Sequence, residues 1–167
     1  MSCRTAGDRI GRHDTMILAL AEDCRIAGLP TRLEQSVLDD RIGDIVLINY
    51  QHNKYLYVDF TVASTLAPSY INKSARAVGT TGRERYNMKM LKYARQINLV
   101  EFEPMVVESL GGWHEEGLKI LARIARMKST KENLDPKSGL ARLMMRYSFL
   151  LQKMNGAMLA ARYTHSR

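Results

Sequence analysis

The stretch from Arg41 to Val62, RIGDIVLINYQHNKYLYVDFTV, constrains the fold most, because it has the pattern of two strands joined by a short polar turn. Each strand carries one aspartate, Asp44 and Asp59, among mostly apolar neighbours. A carboxylate buried in a strand is costly unless it is paired or binds a cation. The alternation of the second strand places Asp59 on a mixed face with Tyr57 and Thr61, opposite an apolar face. The hairpin therefore predicts a sheet whose two charges need partners.

The spacing of the two aspartates predicts a metal site. Fourteen residues separate Asp44 from Asp59, so a hairpin would bring the two carboxylates close together. Two converging carboxylates suit Mg²⁺, which can activate water and stabilise charge on a phosphate. Such chemistry also needs a cation, and Lys89 or Lys92 on the following helix could supply it, with a slight preference for Lys89. The ordinary interpretation is a turn cap at Asp44, an arginine ion pair at Asp59 and a solvated lysine face.

The periodicity of the whole chain predicts an α/β fold with a mixed sheet of about four strands, helices on both faces and a C-terminal helical pair. A proline in the fourth strand, Pro104, favours an edge position or a kink. Besides the hairpin, the expected elements are a helix His13–Ala27, a strand Thr31–Leu38, a helix Gly82–Ile97, a strand Leu99–Glu108 and helices His114–Lys128 and Gly139–Tyr163.

The positive charge lies mostly at the C-terminus. The chain carries a net charge of +8, but residues 1–116 hold 14 basic and 15 acidic residues, whereas residues 117–167 hold 11 basic and 2 acidic ones. This asymmetry predicts contact with a polyanion, the alternative being a solvated basic face. Arg142 and Arg146 lie off the heptad seam of the last helix, and that seam would pack on its own domain or on a second copy, forming a homo-oligomer.

Several classes of protein are disfavoured. The chain contains no run of 18 apolar residues, so no membrane span is predicted. The N-terminus lacks the apolar segment of a secretory signal. Two cysteines, Cys3 and Cys24, do not make a disulfide framework, so a nuclear or cytoplasmic location is expected rather than secretion. Neither a nucleophile elbow nor a phosphate-binding glycine loop is present.

Motifs in a fixed order carry a resemblance to a known family. In this chain they are Arg12-His13-Asp14, Arg41-Ile42-Gly43-Asp44, Asp59, KMLKY from Lys89 to Tyr93, and FEPMVVESLGGW from Phe102 to Trp113. Their order over about residues 3–125 resembles the restriction-endonuclease-like, or PD-(D/E)xK, fold. More narrowly, it looks like the endonuclease domain at the C-terminus of reverse-transcriptase polyproteins of site-specific non-LTR retrotransposons. The chain departs from that pattern in lacking the proline of the metal motif and in having Thr61 where the wider fold keeps its lysine.

The resemblance implies a Mg²⁺-dependent DNA endonuclease of retroelement origin. Asp44 and Asp59 would hold the metal, with Glu34 as a third acidic group, and Lys89 or Lys92 would take the catalytic role of the lysine. Basic residues at both ends of the chain would bind the DNA, or RNA, backbone: Arg12, His13, Arg142 and Arg146.

The same resemblance suggests how the chain is divided. Residues 1–12 would be a tail in which Cys3 is the last ligand of a zinc knuckle, residues 13–112 the endonuclease-like core, and residues 113–167 basic helices. The alternative is a catalytically inactive retroelement fragment that binds nucleic acid or a protein partner.

Overall fold

The computed structural model describes residues 4–33, 43–51, 53–95 and 100–163, without the side chains of residues 4–9 and 162. Cys3, Glu34 and the Arg41-Ile42 pair of the second motif lie outside the described residues. The elements follow in the order α1 (Arg4–Ala27), β1 (Thr31–Leu33), β2 (Ile45–Gln51), β3 (Lys54–Ala63), α2 (Ile71–Ser74), α3 (Thr80–Lys92), β4 (Glu101–Glu108), α4 (Glu115–Glu132) and α5 (Pro136–Tyr163).

The four strands form one mixed sheet in the order β1-β2-β3-β4. The pairs β1–β2 and β2–β3 are antiparallel, whereas β4 runs parallel to β3 after the crossover through α3. Pro104 lies opposite Asp59 in β4, which is an edge strand, as expected for a residue that has no amide hydrogen to donate. The predicted α/β class with a four-stranded mixed sheet is confirmed.

Three helices cover one face of the sheet. The side chains of Met16 and Leu20 from α1 are fully buried together with Val58 and Phe60 of β3. Helices α4 and α5 complete this core, and Tyr147 of α5 has no exposed surface. The first half of the apolar seam of the last helix therefore packs on its own domain, whereas Ala157 in its second half is exposed.

Helix α3 lies on the opposite face, so helices flank both sides of the sheet as predicted. Tyr93, which caps the C-terminal end of α3, packs its ring against Phe102 of β4 at a centroid distance of 4.6 Å. The same end of the helix comes close to the middle of β3. This arrangement places the lysines of the last turn of α3 above Asp59, whose side chain points to this face.

Element boundaries differ from the predictions mainly where tertiary contacts extend a helix. Helix α1 begins at Arg4 rather than His13, and Arg12 in its early part donates a hydrogen bond to Asn155 of α5. Helix α3 covers Thr80–Lys92 instead of Gly82–Ile97. Pro136 is the first residue of α5, where its missing amide hydrogen costs nothing. None of the described helices is long and apolar enough to cross a membrane.

Candidate functional site

Gly43 brings the start of β2 into close contact with β3. Its φ is +80°, and a Cβ at this position would lie 2.8 Å from the carbonyl oxygen of Val58. The next residue, Asp44, donates its amide hydrogen to the same oxygen at 2.8 Å, and its carboxylate Oδ2 accepts the amide hydrogen of Phe60 at 2.8 Å. Asp44 is therefore bonded to the backbone of both residues that flank Asp59. Glycine is required because a side chain would fit neither the backbone angle nor the space.

The ring of His13 in α1 also contacts the Asp44 carboxylate. Its Nε2 lies 3.2 Å from Asp44 Oδ2 and 2.9 Å from the carbonyl oxygen of Phe60, and its Nδ1 lies 3.2 Å from Asp14 Oδ1. The hydrogen bond to Asp44 raises the pKa of His13 to about 9, against the effect of burial. At neutral pH the ring is therefore an imidazolium, and both nitrogens donate.

The pKa of Asp44 shows how strongly its charge is stabilised. Burial raises this pKa, but the hydrogen bond and charge of His13, the amide hydrogen of Phe60 and the charge of Lys89 together bring it below its ordinary value. Both hydrogen bonds that Asp44 accepts within the described part of the chain end on Oδ2. The carboxylate is thus held ionised and in a fixed orientation.

Asp59 is the buried centre of the site. Its residue surface is 3% exposed, yet both oxygens have partners. The ammonium of Lys89 lies 2.9 Å from Oδ1 and 2.8 Å from Oδ2, the hydroxyl of Tyr93 donates to Oδ1 at 3.1 Å, and the hydroxyl of Thr61 donates to Oδ2 at 3.1 Å. A buried carboxylate keeps its charge when it is paired and hydrogen-bonded in this way.

Lys92, the second lysine candidate, contacts Asp59 only through Tyr93. Its ammonium donates to the Tyr93 hydroxyl at 3.1 Å and lies 4.6 Å from the centroid of the same ring. Burial and then the charge of Asp59 raise the pKa of Tyr93, so the phenol keeps its proton and donates it. Tyr93 directly follows Lys92 in KMLKY, so it belongs to the predicted lysine motif.

The two aspartates belong to one electrostatic neighbourhood. The charge of Lys89, which contacts Asp59, also lowers the pKa of Asp44, and the charge of Asp44 raises the pKa of Tyr93, which donates to Asp59. The hairpin places Asp44 against the backbone on either side of Asp59, and the last turn of α3 brings Lys89 to Asp59. His13, predicted as a nucleic-acid contact, lies at the same place.

The carboxylates of Asp44 and Asp59 are the oxygen donors that this site offers to a metal ion. Within the described residues, no three His, Cys, Asp or Glu side chains are grouped so that they could hold a metal ion. Mg²⁺ is commonly bound through one or two carboxylates, with waters and substrate phosphates completing its octahedron. Asp44 Oδ1 has no hydrogen bond within this part of the chain, whereas both oxygens of Asp59 accept hydrogen bonds from Lys89, Tyr93 or Thr61.

The three arginines predicted to contact nucleic acid lie apart from the carboxylates. Arg12 is buried and donates to Asn155 Oδ1 at 2.7 Å, so it joins α1 to α5. Arg146 donates to Asp23, a fully buried carboxylate that also pairs with Lys128 at 3.2 Å. Arg142 is exposed on α5. Their predicted nucleic-acid contacts remain predictions, and two of these side chains already have protein partners.

Comparison with known proteins found no matching family model and no matching curated protein.

Proposed function

We propose that this chain is a Mg²⁺-dependent DNA endonuclease with a restriction-endonuclease-like core, of the kind found in retroelements. One observation supports the proposal most: the Lys89 ammonium lies 2.8 Å from the Asp59 carboxylate, while Asp44 is bonded to both residues that flank Asp59. Two carboxylates on adjacent strands with a lysine at the same point form the arrangement that such hydrolysis needs. Here the lysine comes from a helix, and Thr61 occupies the strand position where the wider fold keeps it.

Each residue of the site would have a separate task. A Mg²⁺ ion held by Asp44 and Asp59 would supply Lewis acidity and a bound water of lowered pKa. Lys89 would place a positive charge beside the scissile phosphate and orient the attacking water. His13 keeps Asp44 ionised and fixed in orientation, and the hydroxyl of Tyr93 fixes the orientation of Asp59.

A second candidate is a nucleic-acid-binding module without catalysis. It is favoured by the complete pairing of Asp59, whose two oxygens already accept hydrogen bonds from Lys89, Tyr93 and Thr61. In that case the lysine would neutralise a buried charge that stabilises the fold, and the two aspartates would be structural.

Nicking of a supercoiled plasmid by the purified chain separates the two candidates. We expect nicking with Mg²⁺ and none with EDTA. Asp59→Asn and Asp44→Asn should each abolish it, because each removes a carboxylate charge that the metal needs. Glu132→Gln changes an exposed carboxylate of α4 and is the matched control.

The outcomes are distinct. Absence of nicking by the folded parent chain would reject the endonuclease and favour the binding module. Nicking that survives Asp59→Asn would reject the assignment of the site. Far-ultraviolet circular dichroism and thermal melting of every variant ensure that a loss of activity does not reflect unfolding.

A further inference from the structure

The segment from Ser64 to Arg95, which contains α2 and α3, is strongly basic. It holds seven lysines and arginines and one acidic residue, Glu84. The other 14 acidic residues of residues 1–116 lie outside this segment, so its local excess of positive charge disappears in a count over residues 1–116. Because α3 also carries Lys89, the excess lies beside the two aspartates.

Within the described residues, most cations of this segment form no ion pair with a carboxylate. Lys73 pairs with Glu84 and Lys89 with Asp59, whereas no ion pair of Arg76, Lys92 or Arg95 occurs within the described residues. All three of those residues are exposed. Unpaired exposed cations are free to neutralise the phosphates of a ligand.

The C-terminal helices, by contrast, use several of their cations internally. Lys119 pairs with Glu116, and Lys128 and Arg146 both pair with buried Asp23. Arg123 lies over the ring of Tyr50 at 4.8 Å from its centroid, as Arg85 of α3 lies over the ring of Tyr70 at 5.1 Å. The higher net charge of these helices therefore overstates the positive charge available to a partner.

The cations of α3 share one side of the helix, and one of them, Lys89, lies at the candidate site. Arg85, Lys89 and Lys92 follow one another at intervals of four and three residues, so they share one stripe of the helix. Arg76 precedes α3 and Arg95 follows it in the sequence. We call these five residues, Arg76, Arg85, Lys89, Lys92 and Arg95, the basic ridge.

We propose that the basic ridge binds the phosphate backbone of duplex DNA and leads one strand into the site formed by Asp44, Asp59 and Lys89. This inference rests on the proposed function, because it names the surface that would hold the substrate of that site. Contacts to phosphate fix the position of a nucleic acid without reading its sequence. The ridge would therefore supply affinity and register and leave specificity to other parts of the protein.

The aromatic residues of this segment favour a duplex over a single strand. Proteins that bind single strands commonly stack successive bases on exposed aromatic side chains. In residues 64–95, Tyr70 and Tyr93 are buried, and the ring of Tyr86 is already stacked on His114 at a centroid distance of 4.0 Å. The segment thus offers charge but no free stacking surface.

Equilibrium binding of a fluorescent DNA duplex tests this inference in EDTA, where no cleavage occurs. The variant is Arg76→Gln with Arg95→Gln, and the matched control is Lys137→Gln with Lys153→Gln, which removes two exposed cations from α5. Each phosphate contact contributes a slope of about 0.9 to the plot of log affinity against log salt concentration. We expect the ridge variant to lower the slope by about 2 and the control to leave it unchanged.

Three results would overturn the inference: an unchanged slope in the ridge variant, a slope lost only in the α5 control, or tighter binding of a single-stranded or RNA probe than of the DNA duplex. The proposed function fails separately. If the salt slope falls in the ridge variant but the parent chain never nicks DNA, the DNA-binding surface is supported and the endonuclease is rejected. If the parent chain nicks DNA but the slope of the ridge variant is unchanged, the endonuclease is supported and this binding surface is rejected.

Discussion

Lys89 of α3 spans the space between its helix and the sheet, and its ammonium lies 2.8 Å from Oδ2 of Asp59, a residue that is 3% exposed. This ion pair joins the crossover helix to the strand that carries the second aspartate. Lys92, one turn further along, reaches Tyr93 instead. The structure therefore distinguishes two lysines that are equivalent in the sequence pattern.

Lys89→Met should lower plasmid nicking far more than Lys92→Met. If Lys89 acts beside the scissile phosphate, its loss should reduce the rate by at least about 100-fold, as expected for a positioned acid, base or charge. Lys92→Met should cost less than about tenfold, because that ammonium contacts Asp59 only through Tyr93. Single-turnover nicking rates at saturating enzyme measure both, and a larger loss in Lys92→Met would reverse the assignment.

Tyr93→Phe tests whether the orientation of Asp59 matters for the reaction. The variant keeps the ring packed on Phe102 but removes the hydroxyl that donates to Asp59 Oδ1 at 3.1 Å. A hydrogen bond to a charged group contributes roughly 1.5–3 kcal/mol, so a nicking rate lowered by about tenfold is expected. The dependence of the rate on Mg²⁺ concentration should shift upward as well, since the carboxylate is less firmly held. Unchanged kinetics would make Tyr93 a packing residue only.

The sequence allows the hairpin and its two aspartates to be predicted because both depend on local patterns. Strand alternation assigns Asp59 to the face opposite the core, and the short turn fixes which residues lie opposite one another. The choice between Lys89 and Lys92 depends on the rotation of α3 about its own axis, which tertiary packing sets.

The protein partners of Arg12 and Arg146 could not be predicted from the pattern of charges in the sequence. Arg12 and Arg146 were predicted to contact nucleic acid, but their partners Asn155 and Asp23 lie 143 and 123 residues away in the sequence. Such long-range pairs leave no periodic signal in a single chain. The basic segment around α3 is visible in the sequence, but a count over residues 1–116 averages it with the acidic residues on either side of it.

Arg146→Gln should therefore act first on stability. It leaves Asp23, which is fully buried, with Lys128 as its remaining cationic partner. A loss of about 1–2 kcal/mol in the free energy of unfolding is expected, because a desolvated carboxylate loses one of its two charge-assisted bonds. Arg142→Gln, an exposed change on the same helix, should stay within about 0.5 kcal/mol of the parent chain. Urea denaturation measures both, and equal stabilities would show that the buried pair contributes little.

Gly43→Ala should disturb the fold and the site together. Alanine at a φ of +80° is strained, and its Cβ would meet the carbonyl oxygen of Val58 at 2.8 Å. Strain and steric overlap together predict a loss of at least about 2 kcal/mol in the free energy of unfolding.

Gly79→Ala is the matched control, because its φ is +78° but no atom lies within 4 Å of a Cβ there. The two variants therefore separate backbone strain, which they share, from contact with β3, which belongs to Gly43 alone. Equal losses would show that the contact with β3 adds nothing.

His13 should make the stability of the metal-free protein depend on pH in the alkaline range. Its pKa rises from 6.5 to about 9 on folding, chiefly through the hydrogen bond to Asp44, so the folded state holds the proton more tightly than the unfolded state. The resulting stabilisation is fully present below pH 6.5 and is lost as the pH rises through 9. It amounts to about 3 kcal/mol, since each pKa unit corresponds to about 1.4 kcal/mol.

Urea denaturation in EDTA from pH 6 to pH 10 should show this decline in the parent chain. In His13→Gln the curve should be flatter over the same interval, because glutamine can donate to Asp44 without titrating. Parallel curves for the two proteins would mean that the proton on His13 does not stabilise the fold.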